Sequence, residues 1–292
     1  MTIDRLRSYS SAFSRNVFTS IILYSDFSQL DRLYGMYDYG GELSGTYLDY
    51  LSRLYKTLVR SYRCEYVYKN EIINQLLLKK YGTQNTVAFN EFKVGDSIVD
   101  FAIMNGESKA FEIKTSLDTP RRLRKQMFDY RKIFNKCYVV VEADKCDYYA
   151  EFLDDYTGIV ALSYDRGYIR IEEFRPAKML DAIDATTLMK CLRIVEYENI
   201  IRSYFGELPN VASYNMYGAC LERMNEMDSF SLNQLFLCEI KKRRSATMRL
   251  KNVPKELRQM FLSLNLSHKN EKELIRKLNS KINSNRPCII HI

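Results

Sequence analysis

The sequence predicts an α/β protein built on a mixed β-sheet that is flanked by helices. A helical segment at 69–81 precedes three closely spaced strand-like segments, and a basic helix and a buried strand follow them. These four predicted strands are 86–94, 97–104, 109–115 and 138–141. The run Tyr138 to Val141 is apolar at every position, as expected for a strand that is covered on both faces. The predicted order is therefore helix, three strands, helix, strand.

The first helix is predicted from apolar residues at helical spacing. Ile72, Ile73, Leu76 and Leu77 lie on one side of the segment 69–81. Gly82 follows directly and is typical of a helix end, where a left-handed residue often stops the helix.

Turn-forming residues separate the later elements. Asn105 and Gly106 predict a hairpin between the second and third strands. Asp118 is predicted to cap a helix that has Pro120 in its first turn and ends near residue 134. A short helix at 147–153 and two more strands, 158–164 and 168–174, are expected to extend the sheet.

Helical patterns dominate both ends of the chain. Tyr47, Leu51, Tyr55 and Leu58 recur at helical spacing in a tyrosine-rich N-terminal segment. A helix that packs on its neighbours is favoured there over a platform for stacking bases. After Pro176 the pattern is helical again. The predicted organisation is an N-terminal helical segment at 1–63, a core at 64–175 that contains the predicted strands, and a basic helical region at 176–292.

The composition limits the chemistry that the chain can perform. The only histidines are His268 and His291, so a histidine-based nucleophile or a histidine-rich metal site has too few residues. The seven cysteines are scattered without a C-x-x-C pair. Catalysis would depend on carboxylates and lysine. With no secretory or membrane-spanning segment evident, the cytoplasm is the expected location, with no membrane partner.

The charge indicates an anionic partner. The formal net charge is +8 and the isoelectric point is near 9.0. Lys241, Lys242, Arg243 and Arg244 form a basic block in the last part of the chain. Nucleic acid is the expected partner, and a homo-oligomer is left open.

An acidic residue, any residue and a lysine occur in sequence several times, among them at 107–109, 112–114 and 239–241. On a helix, residues two apart point about 200° away from each other, so the copy at 239–241 cannot form one site. On a strand, residues two apart share a face, which places Glu112 beside Lys114. Two charged groups on a largely apolar strand are costly unless they pair or bind something.

Asp100 interrupts the preceding apolar strand and supplies a second carboxylate. A two-residue hairpin loop would put Asp100 and Glu112 on opposite faces, because the position numbers of paired residues would then sum to 211. A three-residue loop of Asn105, Gly106 and Glu107 changes the sum to 212 and sets Asp100 directly opposite Glu112. We therefore predict the longer loop.

With these elements, residues 71–143 resemble the PD-(D/E)XK superfamily, the restriction-endonuclease-like nucleases. Asp100 matches the isolated Asp of the family motif, and Glu112, Ile113 and Lys114 match its acidic-x-Lys step. Glu71 occupies the place of the helical Glu that many members add.

A second motif indicates one branch of this superfamily. Gln126 and Tyr130, four residues apart on one predicted helical face, resemble the Q-x-x-x-Y element of the RecB-like branch. The region is also similar to a group of small bacterial proteins of this superfamily. The four cysteines that hold an iron–sulfur cluster in some members are missing.

The resemblance implies a Mg²⁺-dependent or Mn²⁺-dependent deoxyribonuclease, acting in foreign-DNA defence or in repair. Asp100, Glu112 and the Ile113 carbonyl would hold the metal, and Lys114 would orient the attacking water. Glu71 would bind a metal-bound water. Gln126 and Tyr130 would position the strand that is cut.

Arg121 and Arg122 are expected to meet phosphates beside the catalytic strand. The block at 241–244 is expected to bind nucleic acid as well, although a solvated basic helix face is the simpler interpretation of both groups.

Two other functions remain open from the sequence. The fold could be catalytically inactive and bind nucleic acid through its basic residues, or the chain could be an adaptor between proteins. For Asp100, Glu112 and Lys114, the simpler interpretation is a structural salt bridge at the strand ends.

Overall fold

The computed structural model describes residues 1–39, 45–116, 118–243 and 245–282, and these form two compact units. Unit 1 comprises Met1–Asn74, Tyr164–Ile169 and Arg249–Ile292, within the described residues. Unit 2 comprises Gln75–Ser163 and Arg170–Met248. The predicted boundaries after residues 63 and 175 follow secondary structure, whereas the units follow packing, so the C-terminal region 176–292 contributes to both.

Most of a six-stranded mixed sheet lies in unit 2, with the strands in chain order across the sheet. Residues 164–169, which end the fifth strand and begin the sixth, belong to unit 1. β1 pairs antiparallel with β2, and β2 with β3, whereas β3–β4 and β4–β5 are parallel. The strands are β1 (Val87–Val94), β2 (Ser97–Met104), β3 (Ser108–Ile113), β4 (Lys136–Glu142), β5 (Gly158–Asp165) and β6 (Tyr168–Arg175). All six predicted strands are present, and the α/β class is confirmed.

The hairpin between β2 and β3 has the predicted three-residue loop. Met104 pairs with Ser108, so the position numbers of paired residues sum to 212. Gly106 has φ of +101°, and the Asn105 N–H donates to the Glu107 carbonyl over 3.1 Å. This register, continued by one step past Phe101 and Phe111, sets Asp100 opposite Glu112.

Each face of the sheet is buried by a different set of elements. On one face Ala102, Ala110 and Val139 join a core that also contains side chains from the helices at 123–130 and 185–241. On the other face Phe111 and Tyr138 lie with Leu76 around a small cavity of about 60 Å³. Because both faces are covered, the strands carry few exposed apolar side chains.

The described α-helices are mostly short. They are α1 (Ile3–Ser11), α2 (Arg15–Tyr24), α3 (Ser28–Tyr37), α4 (Tyr47–Ser61), α5 (Glu65–Ile72), α6 (Leu123–Tyr130), α7 (Cys146–Phe152), α8 (Ala185–Cys191), α9 (Ile194–Phe205), α10 (Met216–Glu226), α11 (Ser229–Lys241), α12 (Arg258–Leu264) and α13 (His268–Leu278). Within the described ranges, no helix combines the length and the apolar character that crossing a bilayer requires.

Two predicted helices differ from the structure in detail. The segment 69–81 is the end of α5 followed by a π-helical stretch, Ile73–Tyr81, which ends at Gly82 with φ of +74°. Asp118 does not cap α6, and that prediction was wrong. Its carboxylate instead accepts from the Thr115 N–H and hydroxyl, both over 2.8 Å, and closes the turn after β3.

Unit 1 is held together by tyrosines and a buried carboxylate. Asp38 accepts hydrogen bonds from the hydroxyls of Tyr9 and Tyr50 and lies 2.9 Å from Arg5 and 2.8 Å from Arg53. The four periodic residues of α4 are all buried, which confirms the packing helix. They are Tyr47, Leu51, Tyr55 and Leu58.

The loop that sets the β2–β3 register generates a stability prediction. Gly106→Ala places a Cβ in open space but at a positive φ, which costs on the order of 1 kcal/mol. Gly218→Ala is the matched control, because Gly218 lies in α10 with open space around it, and alanine favours a helix by about 1 kcal/mol. We expect the urea midpoint of unfolding to fall for Gly106→Ala and to rise for Gly218→Ala. An unchanged or higher midpoint for Gly106→Ala would contradict the strained loop.

Candidate functional site

The ends of β2 and β3 meet through a carboxylate. Asp100 Oδ2 accepts a hydrogen bond of 2.8 Å from the backbone N–H of Ile113. The next N–H along the chain, that of Lys114, points the other way and donates to the Val140 carbonyl over 2.9 Å. In a strand the N–H and C=O of one residue point to the same side. The Ile113 carbonyl is therefore directed to the side on which Asp100 lies.

Glu112 is the centre of a hydrogen-bond network. Its carboxylate lies 2.8 Å from the Lys114 ammonium and accepts from the Gln126 amide over 2.5 Å and from the Tyr130 hydroxyl over 2.7 Å. Lys114 also donates to the Gln126 side chain over 3.3 Å. Glu112 is only 3% exposed, so these partners offset the cost of burying its charge.

Helix α6 brings Gln126 and Tyr130 to Glu112. The two residues are four apart and lie on one face of the helix, as predicted. Met127 anchors the helix in the core, and Asp129 at its end accepts a hydrogen bond of 2.6 Å from Ser97 at the start of β2. The same two strands that carry the carboxylates therefore support the helix that contacts them.

The Tyr130 hydroxyl is shared between two acceptors. It lies 2.6 Å from the Ile98 carbonyl and 2.7 Å from Glu112, but it has one hydrogen to donate. Burial and the nearby charge of Glu112 raise the pKa of Tyr130 well above its usual value. Tyr130 therefore stays a neutral donor.

The residues around β2 and β3 offer three oxygen ligands: the Asp100 carboxylate, the Glu112 carboxylate and the Ile113 carbonyl. Among the described residues, no group of three or more His, Cys, Asp and Glu side chains is arranged to hold a metal. A metal at this position would therefore depend on two carboxylates together with one backbone carbonyl.

Glu71 belongs to unit 1, and two of its partners lie there. Its carboxylate accepts from the Tyr55 hydroxyl over 2.7 Å and from the Asn74 amide over 3.1 Å. The predicted role of Glu71 in binding a metal-bound water stays a prediction.

The basic residues that follow β3 are exposed. Arg121 and Arg122 form a turn of 3₁₀ helix before α6, and Lys125 lies one turn later. No described residue forms an ion pair with any of these three, which leaves their charges facing solvent. Arg124, by contrast, donates to the Phe152 carbonyl over 3.0 Å.

The residues of the basic block at 241–244 differ in their contacts. Lys242 pairs with Glu239, and Arg243 forms a two-pronged ion pair with Glu196, at 2.7 Å for each prong. Lys241 is half-buried at the end of α11. Arg244 lies outside the described residues. Binding of nucleic acid by this block stays a prediction, and the guanidinium of Arg243 has a structural partner.

Sequence reasoning missed a cleft beside Lys114. The cleft has a volume of about 320 Å³ and lies at the carboxyl ends of the parallel strands β3 and β4. Its lining includes Lys114, Glu142, Asp144, Lys145 and Tyr148. The signal that indicates such a cleft is the parallel pairing itself, since ligands bind at the carboxyl ends of parallel strands.

The Arg243–Glu196 pair predicts a pH dependence. Burial alone would raise the pKa of Glu196, but hydrogen bonds from the Arg243 guanidinium and the Arg193 N–H outweigh it and lower the pKa. A lowered pKa stabilises the fold above the unfolded value of about 4.3, and this stability is lost as the pH falls through the folded pKa. Glu196→Gln should therefore lower the melting temperature at neutral pH and flatten its decline in acid.

Glu226→Gln is the matched control for this measurement, because Glu226 is an exposed partner of Arg223 on α10. Its melting curve is expected to follow the unsubstituted protein at every pH. An acid decline as steep in Glu196→Gln as in the unsubstituted protein would exclude the pair as a source of acid sensitivity.

Comparisons with known proteins place the chain in a family. A family model described as bacteriophage P4 protein cII matches residues 59–285, well over half of the chain. No curated protein matches. A solved structure from Silicibacter pomeroyi, a protein of unknown function, shares 19% identity over 35% of this chain and 66% of its own, with a TM-score of 0.27, which supports no conclusion on fold or activity. On the family match, the chain belongs to the bacteriophage P4 protein cII family.

Proposed function

We propose that this protein is a metal-dependent nuclease of the PD-(D/E)XK type that hydrolyses phosphodiester bonds of DNA. The observation that carries the proposal is the β2–β3 register. It puts the Asp100 carboxylate at the Ile113 amide and leaves Glu112 and Lys114 together on one face. Defence against foreign DNA and repair are the processes that such an activity would serve.

The donor set fits a hard divalent cation. Asp100, Glu112 and the Ile113 carbonyl supply oxygen atoms, which are the ligands that Mg²⁺ and Mn²⁺ prefer. A carboxylate has about four lone-pair positions, and Glu112 uses three of them for Lys114, Gln126 and Tyr130. One position remains. A bound cation would polarise the scissile phosphate and acidify a water.

Lys114 is held where it can orient a water molecule. Its ammonium has three donors, of which Glu112 and Gln126 take two. The third donor is left for a water or for a phosphate oxygen. Lys114 also lines the cleft at the strand ends, and its side chain is 11% exposed.

Gln126 and Tyr130 act as positioning residues. Gln126 contacts Glu112 and Lys114, so it fixes the distance between the acid and the amine. Tyr130 ties Glu112 to the Ile98 carbonyl of β2. Both contacts keep the Glu112 carboxylate in one orientation, which a metal site requires.

Arg121, Arg122 and Lys125 supply an entry surface for the phosphate backbone. They are exposed and unpaired among the described residues, and Arg121 directly follows the cleft residue Pro120. Phosphate contacts of this kind hold the nucleic acid in place without reading its sequence.

Substitution in the acidic-x-Lys copies at 112–114 and 239–241 tests the proposal. Glu112→Gln should lower Mg²⁺-dependent cleavage of linear DNA by about 100-fold or more, because a metal ligand is lost. Glu239→Gln is the matched control: Glu239 is also buried and also precedes Ile and Lys, but it lies on α11. Its activity should be unchanged. Asp100→Asn should behave as Glu112→Gln does, and a chelator should abolish cleavage by the unsubstituted protein.

Cleavage that survives Glu112→Gln and Asp100→Asn would exclude these residues as the catalytic centre. Equal loss in Glu239→Gln would show that the effect comes from the fold rather than from the site.

A catalytically inactive nucleic-acid-binding protein is the second candidate function. The burial of Glu112 and its direct ion pair with Lys114 favour it, because a closed pair needs no metal. In that case DNA binds but is never cut, whatever divalent cation is supplied.

Salt dependence tests the binding that both candidates share. Each phosphate contact contributes a slope of about 0.9 to the fall of log K with log salt on duplex DNA. Arg121→Ala combined with Arg122→Ala should reduce this slope by about 1.8 in a filter-binding titration. An unchanged slope would place the phosphate contacts elsewhere on the protein.

A further inference from the structure

The cleft at the ends of β3 and β4 contains an exposed aromatic ring that is held in place. Tyr148 is 52% exposed, although it lies beside the buried Tyr149 on α7. Its ring is nearly parallel to that of Phe152, with 6.0 Å between the centroids and 12° between the planes. The Tyr149 ring meets it edge-on at 5.2 Å. Tyr148 is therefore oriented by its neighbours before any ligand arrives.

A cation also contacts the Phe152 ring. The Arg124 guanidinium lies 4.4 Å from the centroid of the Phe152 ring and donates to the Phe152 carbonyl. The Phe152 ring is thus in contact with both Arg124 and Tyr148. An oriented aromatic ring binds a planar ligand at a lower entropic cost than a mobile ring does.

The charges that line the cleft fit a base better than a phosphate. The lining has two amines, those of Lys114 and Lys145, and three carboxylates, those of Asp118, Glu142 and Asp144. Asp118 is engaged by Thr115, and Asp144 lies 4.0 Å from Lys145. Carboxylates repel a phosphate but accept hydrogen bonds from the amino groups of bases.

The size of the cleft limits what enters it. Its volume of about 320 Å³ is near the lower end of the range of about 300–1,000 Å³ for small-molecule sites. A single nucleotide is of the size that such a site accommodates. A base that is still paired in a duplex cannot present its face to a ring inside such a cleft.

We propose that this cleft binds one unpaired base of a DNA strand, stacked on Tyr148, next to the phosphate that Lys114 contacts. This inference rests on the proposed nuclease function and specifies its substrate as a single strand or a frayed end. Stacking on a tyrosine accepts any base, because every base has a π face. The cleft would therefore favour single-stranded over double-stranded DNA, whatever the base sequence.

Binding without metal tests the inference separately from catalysis. Full-length protein in EDTA is titrated against a fluorescein-labelled single-stranded oligonucleotide and against the blunt duplex of the same sequence, with anisotropy as the readout. Tyr148→Ala should weaken single-strand binding by about 5- to 100-fold and leave duplex binding unchanged, whereas Tyr148→Phe, which keeps the ring, should stay close to the unsubstituted protein. Tyr214→Ala removes a tyrosine that is 85% exposed and does not line the cleft, and it is the matched control.

Tyr148→Leu separates stacking from packing, because leucine keeps apolar contact with Phe152 but has no ring face. It should lose single-strand affinity as Tyr148→Ala does. The inference is overturned if the unsubstituted protein shows no single-strand binding, if Tyr148→Ala binds the single strand as tightly as before, or if both nucleic acids are weakened equally. Since no metal is present, failure of metal-dependent cleavage does not alter this result.

Discussion

The register of β2 against β3 is the constraint on which the candidate site depends. A side chain in a strand alternates between faces, so a shift by one residue would move Asp100 away from Glu112. The three-residue loop with Gly106 at positive φ fixes the register from one end. The hydrogen bond from the Ile113 N–H to Asp100 fixes it from the other end, where the carboxylate takes the place of a backbone acceptor.

The burial of Glu112 then determines the position of α6. An uncompensated buried charge costs about 3–5 kcal/mol when its partner is removed, so the helix that supplies Gln126 and Tyr130 cannot move freely. The same helix places Arg124 against Phe152, and the turn directly before the helix contains the exposed Arg121 and Arg122. One buried carboxylate thus links the sheet, the proposed chemistry at Lys114 and the surface that would meet DNA.

The sequence predicted the elements of unit 2 well because their signals are local. The apolar run of β4, the turn residues of the hairpin and the alternation of β3 each depend on a few adjacent residues. The shared helical face of Gln126 and Tyr130 followed from their spacing, whereas their contacts with Glu112 were not predicted. The prediction that Asp118 caps a helix was wrong, because a carboxylate shortly before a proline can either cap the helix or close the preceding turn.

Other features depend on residues that are distant in sequence. The Arg243–Glu196 pair joins α9 to the residues after α11, and no local pattern indicates it. The division into two units, to both of which region 176–292 contributes, also depends on packing and not on composition. The cleft beside Lys114 requires the parallel pairing of β3 and β4, and pairing partners are not specified by either strand alone.

Anomalous diffraction from crystals of the full chain soaked in Mn²⁺ tests the central claim most directly. The proposed site predicts one strong peak with oxygen ligands from Asp100, Glu112 and the Ile113 carbonyl at about 2.1 Å, the distance expected for a small divalent cation. An occupied Mn²⁺ site elsewhere, or a map without a peak between β2 and β3 while Lys114 remains paired with Glu112, would contradict it.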